Sequence, residues 1–355
     1  MNYLLSAFTG LGNFILQTPL IRAIHQFDKD AWIDLISDNR YGALDVLRGS
    51  PLIRTAYKVP RKIRLIDVLR AFSWNNRNKF DVIFLPFSSS PSWLQWVAYV
   101  SSSKLVVQHI NITHLGIRDR LKLTFKPKKV RFVPVLQGRH EINLNLDLFE
   151  AFCNKPIKRD YQTVISYKLD PKIREKHKIP YEYICLQVGA ANGLETPKRW
   201  PLDYFSRLVD LFQKKYPNTD IVIVGDKGEF ETHVKPILSR HPNLINTAGN
   251  TTINDLANIL AGAKLVISHD SGIMHMADAL GVKLIALYGP TDHTRTSPLG
   301  STSFIIRNNI PCSPCMYNFG TSEKLANIKC PEPECMYSIK PEDVMAKINE
   351  IFEKN

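Results

Sequence analysis

Hydrophobic positions occur in short runs along the chain, and in its first part these runs alternate between the period of a strand and the period of a helix. Strands are predicted for the apolar stretches at residues 3–8, 31–37, 81–86 and 105–108. Between the first two of them, apolar side chains recur at helical spacing, at Ile15, Leu16, Leu20, Ile21 and Ile24. Strands that alternate with helices predict βαβ units and a parallel, doubly wound sheet.

The same alternation restarts after residues 157–180, a polar and lysine-rich stretch that we interpret as the interdomain connection. Strands and helices are predicted in turn, with strands at residues 183–188, 220–224, 265–268 and 284–288 and helices at residues 202–216, 252–261 and 273–279. We therefore expect an α/β protein with two Rossmann-like domains, residues 1–165 and 175–340, that face each other across a cleft as in the GT-B fold. A last helix at residues 341–355 either stays with the second domain or returns to the first.

Composition places the chain among globular proteins. It has 355 residues, of which 44% are hydrophobic and 22% charged, and this length suits two domains. The N-terminus lacks the pattern of a signal peptide, and no stretch is long and apolar enough for a transmembrane helix. These features predict a cytoplasmic protein.

The net charge of +13 lies almost entirely in the first part of the chain. Residues 1–170 carry 25 Lys and Arg against 13 Asp and Glu, a net charge of +12. Basic clusters lie at Arg61, Lys62 and Arg64, and at Lys126, Lys128, Lys129 and Arg131. Such one-sided charge favours an anionic partner, such as a phosphorylated glycolipid or the inner surface of the cytoplasmic membrane; a solvated basic face is the alternative. Nothing beyond charge indicates nucleic acid, and no such partner is expected.

Candidate chemistry lies in the second domain, where the apolar stretch LVIS runs straight into His269-Asp270-Ser271-Gly272. A helix is predicted to begin there, and the unpaired N–H groups and partial positive charge of a helix N-terminus suit a diphosphate. Because Gly272 has no side chain, a ligand can approach the backbone closely. A plain Ser or Asp helix cap would also explain this tetrapeptide on its own.

Other predicted strand ends bring further polar residues to the same edge of the sheet. The stretch LIALYGP is followed by Thr291 and Asp292, and the first strand of the domain leads to Lys198 and Arg199. These two cations suit a diphosphate, and the carboxylates of GDKGE, at the end of a further strand, suit ribose hydroxyls. Because the carboxyl ends of parallel strands share one edge of a sheet, the loops predict a single cleft for a ligand that contains phosphate and sugar.

Four segments carry a more specific pattern: GLGNFILQTPLIRAI, KRWPLDYFSRLVDLF, IVIVGDKGE and NTAGNTTINDLANILAGAKLVISHDSGIMHMADALGVKLIALYGPT. They resemble glycosyltransferase family 9, the heptosyltransferases that build the lipopolysaccharide core from ADP-heptose. The resemblance covers the second domain and the N-terminal motif, and little of residues 40–135. It implies an inverting transfer in which the helix dipole and cations stabilise the departing ADP, so that catalysis requires no divalent metal.

The resemblance also implies roles for individual residues. Lys198 would contact the donor diphosphate and Glu229 the ribose, and Thr251 to Ile253 would flank the base. The phosphates and sugar hydroxyls would be held by Asp270, Ser271, Gly272 and His275.

One position departs from the family pattern. Where well-known members carry an aspartate, proposed to deprotonate the acceptor, this chain has Asn13, and an amide cannot act as a general base. Asn13 is instead expected to orient the acceptor or the donor sugar by hydrogen bonding, or it marks a different acceptor or reduced activity. The proton would then pass to another residue, and the candidates are Glu141, His109, His114 and His140.

Four cysteines near the end of the chain have the spacing of a metal site: Cys312, Cys315, Cys330 and Cys335. Four thiolates in so short a segment match a tetrahedral site for structural zinc or iron. The segment at residues 312–335 has few apolar residues, so a metal would staple a loop that lacks its own core. Free thiols and a disulfide pair are the alternatives.

These features predict an enzyme that transfers heptose from ADP-heptose to a lipopolysaccharide core acceptor at the inner face of the cytoplasmic membrane. An anionic glycolipid acceptor would account for the basic first domain. Alternatives with the same fold use another nucleotide-sugar, use a protein hydroxyl as the acceptor, or bind a nucleotide with weakened catalysis.

Overall fold

The computed structural model describes residues 1–60, 79–87, 89–112, 117–124, 127–189, 197–316, 330 and 332–353. The chain divides into two compact units, Met1–Ser166 and Tyr167–Asn355. Within the described residues, no helix is long and apolar enough to span a bilayer. Several predicted residues lie outside the described ones, namely Arg61, Lys62, Arg64, His114 and Lys126.

The first unit contains a parallel sheet with helices between its strands. Its strands are β1 (Asn2–Ser6), β2 (Trp32–Ser37), β3 (Thr55–Lys58), β4 (Val82–Leu85), β5 (Leu105–Ile110) and β6 (Val130–Pro134). Its helices are α1 (Leu11–Ile15), α2 (Thr18–Phe27), α3 (Ser92–Val100), α4 (Ile117–Thr124) and α5 (Glu141–Cys153). The strand order is β3-β2-β1-β4-β5-β6. The central strands are buried on both faces, which explains their continuous apolar runs.

The single helix predicted after β1 is divided in two. α1 ends at Ile15 and α2 begins at Thr18, with Pro19 in its first turn. In a continuous helix the residue at position 19 would donate its N–H to the carbonyl of Ile15, and proline has no N–H to donate. The hydroxyl of Thr18 donates to that carbonyl instead, at 2.7 Å.

The second unit repeats the architecture. Its strands are β7 (Tyr183–Gln187), β8 (Asp220–Val224), β9 (Ile245–Asn246), β10 (Val266–His269), β11 (Leu284–Leu287) and β12 (Ser303–Ile306), in the order β12-β11-β10-β7-β8-β9. Its helices are α6 (Lys172–Lys176), α7 (Leu202–Lys215), α8 (Lys235–Arg240), α9 (Ile253–Ala261), α10 (Gly272–Ala279), α11 (His293–Thr296), α12 (Glu334–Tyr337) and α13 (Pro341–Glu353). A 3-10 turn, Lys227–Glu229, follows β8.

The last helix, for which the sequence left a return to the first domain open, packs within the second unit. Its apolar face joins the main hydrophobic cluster of that unit through Val344, Met345, Ile348 and Ile351. Beside this face, the Tyr216 hydroxyl donates to Asn349 Oδ1 at 2.9 Å. The cluster also contains residues of β7, β8, β10 and β11, so α13 completes the core on one side of the sheet.

Two residues of the predicted basic clusters bind the protein's own backbone. Lys129 Nζ donates to the carbonyl of Ser101, and the guanidinium of Arg131 donates to the carbonyl of Ala151. Burial lowers the pKa of Lys129. Lys128 is exposed. The side chains of Lys129 and Arg131 are therefore already engaged by the protein's own backbone, which the sequence does not indicate.

Candidate functional site

The strand order of each unit marks one point at which a ligand is expected. In an open parallel sheet, ligands bind at the carboxyl ends of the strands where the strand order reverses. In the second unit this point lies between β7 and β10, and in the first it lies between β1 and β4. The loop after β10 begins with Asp270, the segment after β7 leads to Lys198, and the loop after β1 leads to Asn13. Residues predicted from sequence thus follow the strands that flank both points.

Asp270 is the centre of a group of charged and polar side chains in the second unit. Lys198 Nζ lies 3.0 Å from Asp270 Oδ2, and His275 Nε2 lies 4.0 Å from Oδ1. The hydroxyls of Tyr288 and Thr296 each lie 3.5 Å from Oδ1. Burial raises the pKa of Asp270, but Lys198 and His275 outweigh burial and hold that pKa below its usual range. Asp270 is therefore an anion that fixes the position of Lys198.

Ser271 caps helix α10. Its Oγ accepts from the N–H of Met274 at 3.4 Å and donates to Gln187 Oε1 at 2.7 Å. Ser268 Oγ donates to the same amide oxygen at 2.5 Å. These bonds fix the start of α10 at Gly272, and the first turn of the helix contains no acidic residue. The positive end of the α10 dipole is thus held at the edge of the sheet, while the predicted contact of Ser271 with phosphate stays a prediction.

Glu229 is buried in the 3-10 turn after β8, with only 4% of its surface exposed. Its Oε2 accepts from the N–H of Asp226 at 3.3 Å, and its Oε1 is buried without a hydrogen-bond partner among the described residues. A Cβ on Gly189 would overlap the Glu229 carboxyl group, so glycine leaves the room that this side chain fills. Burial, assisted by Asp226, raises the pKa of Glu229 to about 7. A buried carboxylate oxygen without a donor suits a ligand hydroxyl.

Arg199 lies in the segment between β7 and α7, and Thr251 lies in the loop that follows β9. Arg199 is partly buried; burial lowers the pKa of its guanidinium, and Glu229 and Asp226 oppose this effect. Thr251 precedes Thr252, the capping residue of α9, whose side chain accepts from the Asp255 N–H at 3.1 Å. The capping box orients the start of α9, and with it the backbone at Thr251.

In the first unit, Asn13 is exposed on α1, and its contact with a ligand stays a prediction. His109, one of the histidine candidates for the base, has a structural role instead. His109 Nδ1 accepts from the Phe87 N–H and Nε2 bonds the carbonyl of Leu144, each at 2.9 Å, and burial lowers the His109 pKa to about 4. This ring has no lone pair left to take a proton, so the assignment of His109 as a base was wrong.

The other described candidates lie at the start of α5. His140 is its capping residue, and its Nδ1 accepts from the Ile142 N–H at 3.2 Å. Glu141 is buried in the first turn of the same helix. The capping bond gives His140 a structural role in the fold, whereas a catalytic role for Glu141 stays a prediction.

The four cysteines near the end of the chain are free thiols, with Cys312 exposed and Cys335 buried. Burial, followed by the neighbouring Cys315, Cys312 and Cys330, raises the pKa of Cys335 to about 11. Within the described ranges, no group of three or more His, Cys, Asp or Glu side chains has the arrangement of a metal site. The structural metal therefore stays a prediction.

The cysteine segment packs on the loop that follows β11. The Cys315 N–H donates to the carbonyl of Pro290 at 2.9 Å, and the Ser313 hydroxyl donates to that of Gly289 at 2.6 Å. A Cβ on Gly289 would overlap the Met336 sulfur, so the contact requires glycine. This loop leads to Thr291, which is predicted to meet a sugar or phosphate, and the packing fixes its backbone.

Sequence reasoning missed several residues that hold the site together: Gln187, His269, Tyr288 and Thr296. Gln187, His269 and Tyr288 stand at or just beyond the ends of apolar strands, and their burial is visible only in the fold. A polar residue that closes an apolar run is a signal that could have identified them, since a polar group buried at a strand end needs a partner there.

Comparison with known proteins identifies the family. The profile of glycosyltransferase family 9 (heptosyltransferase) matches residues 99–325. The chain is 31% identical over 352 residues to lipooligosaccharide heptosyltransferase 2 of Campylobacter jejuni, with 98% of this chain and 97% of that protein covered. It is 34% identical over 316 residues to lipooligosaccharide heptosyltransferase 2 of Haemophilus ducreyi, with 86% and 88% covered.

The fold is similar to that of a solved structure, E. coli ADP-heptose lps heptosyltransferase II, with a TM-score of 0.75 at 19% identity and with 100% of this chain and 99% of that chain covered. This similarity and the two parallel α/β sheets confirm the predicted GT-B fold. The family profile matches more than half of the chain, and the relatives match along nearly all of it. The chain therefore belongs to glycosyltransferase family 9, the heptosyltransferases, and is a glycosyltransferase.

Proposed function

We propose that this chain is an inverting heptosyltransferase that transfers heptose from ADP-heptose to a lipopolysaccharide core acceptor. Relatives that match along most of the chain are lipooligosaccharide heptosyltransferases, which supports this substrate class. The observation that carries the proposal is the ion pair of Lys198 with Asp270 beside the first turn of α10. A cation held beside a helix N-terminus suits a nucleoside diphosphate.

The donor site proposed here uses the loops of the second unit. The diphosphate lies against Lys198, Arg199 and the backbone at Gly272, where positive charge is concentrated. The ribose hydroxyls donate to Glu229, whose Oε1 is buried without a donor among the described residues. The base lies beside Thr251, at the start of α9.

The heptose is proposed to lie near the first turn of α10. His275 donates to a phosphate or sugar oxygen, and Asp270 accepts from a sugar hydroxyl while it holds Lys198. Ser271 contributes through the helix cap and through its position beside the phosphates. Each of these groups is buried or nearly so, and a low local dielectric strengthens its interaction with a charged ligand.

In an inverting transfer, the acceptor oxygen attacks the anomeric carbon, and the bond from that carbon to the β-phosphate oxygen of ADP breaks. Negative charge then grows on the departing diphosphate, where Lys198 and the α10 dipole stabilise it. The acceptor hydroxyl loses its proton to a base, which an amide such as Asn13 cannot be. We propose that Asn13 orients the acceptor and that Glu141 is the base among the described candidates.

We propose that the first unit meets an anionic glycolipid at the inner, cytoplasmic face of the membrane. Residues 1–170 carry a net charge of +12. Trp96 and Val100, four residues apart on α3, are 47% and 63% exposed, and an exposed tryptophan on a unit with net positive charge suits a membrane surface. Sedimentation with phosphatidylglycerol vesicles is expected, and Trp96→Ala should weaken it. Equal binding to neutral phosphatidylcholine vesicles would contradict the proposal.

We also propose that Cys312, Cys315, Cys330 and Cys335 hold a structural zinc or iron ion. The thiols lie close enough for the other three to raise the pKa of Cys335, and four sulfur ligands suit either metal. Metal analysis of the purified protein should find about one ion per chain, and Cys312→Ser should lose it. A wild-type protein that is folded and free of metal would contradict this assignment.

The test of the proposed function is transfer from ADP-heptose to a lipopolysaccharide truncated before its core heptose. The product should gain one heptose by mass spectrometry. ADP should raise the melting temperature, whereas UDP, GDP and CMP should leave it unchanged. Stabilisation by a different nucleotide would reassign the donor, and stabilisation by none of them would contradict the enzymatic proposal.

A further inference from the structure

His269 directly precedes Asp270 and is fully buried at the end of β10. The backbone N–H of Trp200 donates to its Nε2 at 2.9 Å, and its Nδ1 lies 2.9 Å from the carbonyl oxygen of Gly189. Because Nε2 accepts, the proton of the neutral ring lies on Nδ1, which donates to that carbonyl. One imidazole therefore bonds the backbone at both ends of the segment that leads from β7 to α7.

The ring stays neutral in this position. Burial lowers the pKa of His269 to about 4; the bond to Gly189 opposes this effect, and the positive charges of Arg199 and Lys198 add to it. Protonation would remove the acceptor at Nε2 and place a third cation beside the other two. The two hydrogen bonds therefore persist at neutral pH.

Trp200 gives this bridge a rigid partner. Its indole Nε1 donates to the carbonyl of Ile339 at 2.9 Å, and its ring meets Phe205 edge to face at a centroid distance of 4.9 Å. The same Phe205 packs against the ring of His269 at 5.6 Å. The backbone at Trp200 is thus fixed from both sides, two residues after Lys198.

His269, the last residue of β10, and the next residue, Asp270, hold the same segment in different ways. His269 holds its backbone at Trp200 and Gly189, and Asp270 holds the Lys198 ammonium at 3.0 Å. Lys198 and Arg199, the two cations of the segment, lie between Gly189 and Trp200, the two residues whose backbone His269 bonds. An anionic ligand then meets charges that are already ordered.

We propose that His269 is a positioning residue for the anionic donor, an inference that rests on the proposed function. Its ring fixes the backbone on both sides of Lys198 and Arg199, so these cations pay little ordering entropy when a diphosphate binds. Loss of the two bonds should therefore raise the Kd of ADP and the donor KM. The kcat at saturating donor should change little, because the ring does not touch the reacting atoms.

The test is a double-mutant cycle on ADP binding, measured by calorimetry. His269→Phe removes both hydrogen bonds and keeps a ring against Phe205, and it should raise the Kd about 10-fold. In a Lys198→Ala background, the same substitution should raise the Kd by clearly less than about 10-fold, because only the positioning of Arg199 remains to be lost. His269→Asn, which keeps a donor for Gly189, should give an intermediate Kd. His241→Phe is the control, since His241 is also buried but bonds Ser206.

A folded His269→Phe protein with the wild-type Kd would overturn the inference, as would an equal change of Kd in both backgrounds. If His269→Phe fails to fold, the same double-mutant cycle is measured with His269→Asn. Changes in the Kd of ADP that are additive with those of Lys198→Ala would then overturn the inference. Amide hydrogen exchange adds a readout without nucleotide: His269→Phe should speed exchange at Trp200. Failure of the wild-type protein to bind ADP would instead overturn the proposed function, and the two failures are thereby distinguished.

Discussion

The two units share one sheet topology and differ in what they place where the strand order reverses. In the second unit, charged side chains occupy the point where the strand order reverses: Lys198 and the partly buried Asp270 form an ion pair there at 3.0 Å. In the first unit the same point is occupied by neutral groups that form hydrogen bonds with one another. Gln17 Nε2 donates to Ser89 Oγ at 2.8 Å, and that hydroxyl donates to the carbonyl of Ser6 at 3.2 Å.

This difference indicates how each unit is suited to a ligand. Burying a charged group costs desolvation energy, and a ligand of opposite charge offsets part of that cost when it binds. Neutral groups cost less to bury than charges, although Gln17 Oε1 is buried without a hydrogen-bond partner among the described residues. Recognition in the first unit is therefore expected to depend more on exposed side chains such as Asn13. The second unit is therefore expected to respond strongly to single substitutions and the first only weakly.

The largest effect is expected for Lys198→Ala. This change removes a cation from the diphosphate and leaves Asp270 without its ion-pair partner beside an incoming anion. The Kd of ADP should rise about 100-fold, or about 3 kcal/mol, by calorimetry. Lys264→Ala is the control, because its ion pair with Glu182 is half exposed and should contribute little. A Kd within about threefold of the wild-type value would break the contrast between the units.

Next in size is the effect of Gly189→Ala. The added Cβ would overlap the Glu229 carboxyl group, so either the side chain or the β7 end must move. The free energy of unfolding should fall by about 1–3 kcal/mol in urea denaturation, and the Kd of ADP should rise about 10-fold. Gly10→Ala in the first unit is the matched control, since nothing lies within 4 Å of its added Cβ and its φ is −68°. Equal destabilisation by both changes would argue against the comparison.

A smaller effect is expected from pH. The pKa of Glu229 rises from its usual 4.5 to about 7 on folding, so the folded state binds the proton more tightly than the unfolded state. The stability that this group contributes is complete below 4.5 and is lost as pH rises through 7. Ribose hydroxyls donate to the ionised form, so the affinity for ADP should rise severalfold over the same range. Both pH dependences should flatten in Glu229→Gln; an unchanged profile would assign them to another group.

The smallest effect is expected for Asn13→Ala. Asn13 is exposed on α1 and belongs to the unit with the neutral network. The Kd of ADP should stay within about twofold, while the KM for the lipopolysaccharide acceptor should rise a few-fold through loss of one exposed hydrogen bond. Steady-state kinetics with acceptor and donor varied separately measure both. A larger change in donor affinity than in acceptor KM would place Asn13 in the donor site.

Much of the fold follows from the spacing of apolar residues. The predicted strand at residues 220–224 coincides with β8, and the helix predicted at residues 252–261 begins one residue before α9. Such patterns succeed because strand and helix periods are local properties of the chain. The division between α1 and α2 was missed because one proline outweighed a continuous apolar period.

The site was predictable to a smaller extent. The residue types after the strands indicated a phosphate-binding edge, and the structure brings Lys198 to Asp270 and His275 there. The histidines proposed as bases could not be judged from sequence, since their roles depend on partners such as the Phe87 N–H and the Leu144 carbonyl. In a sequence, a histidine with a ring nitrogen free to take a proton cannot be distinguished from one whose ring nitrogens both have hydrogen-bond partners.

By itself the sequence determined two α/β units, a capped helix after β10 and a set of charged residues beyond the strand ends, because each depends on neighbours within a few positions. Tertiary structure alone decided which of those residues meet. It joined Lys198 to Asp270 across 72 positions, bridged Gly189 and Trp200 through His269, and buried Glu229 against Gly189. Hydrogen-bond partners and pKa values come from groups carried by different strands, and only the folded sheet brings those strands together.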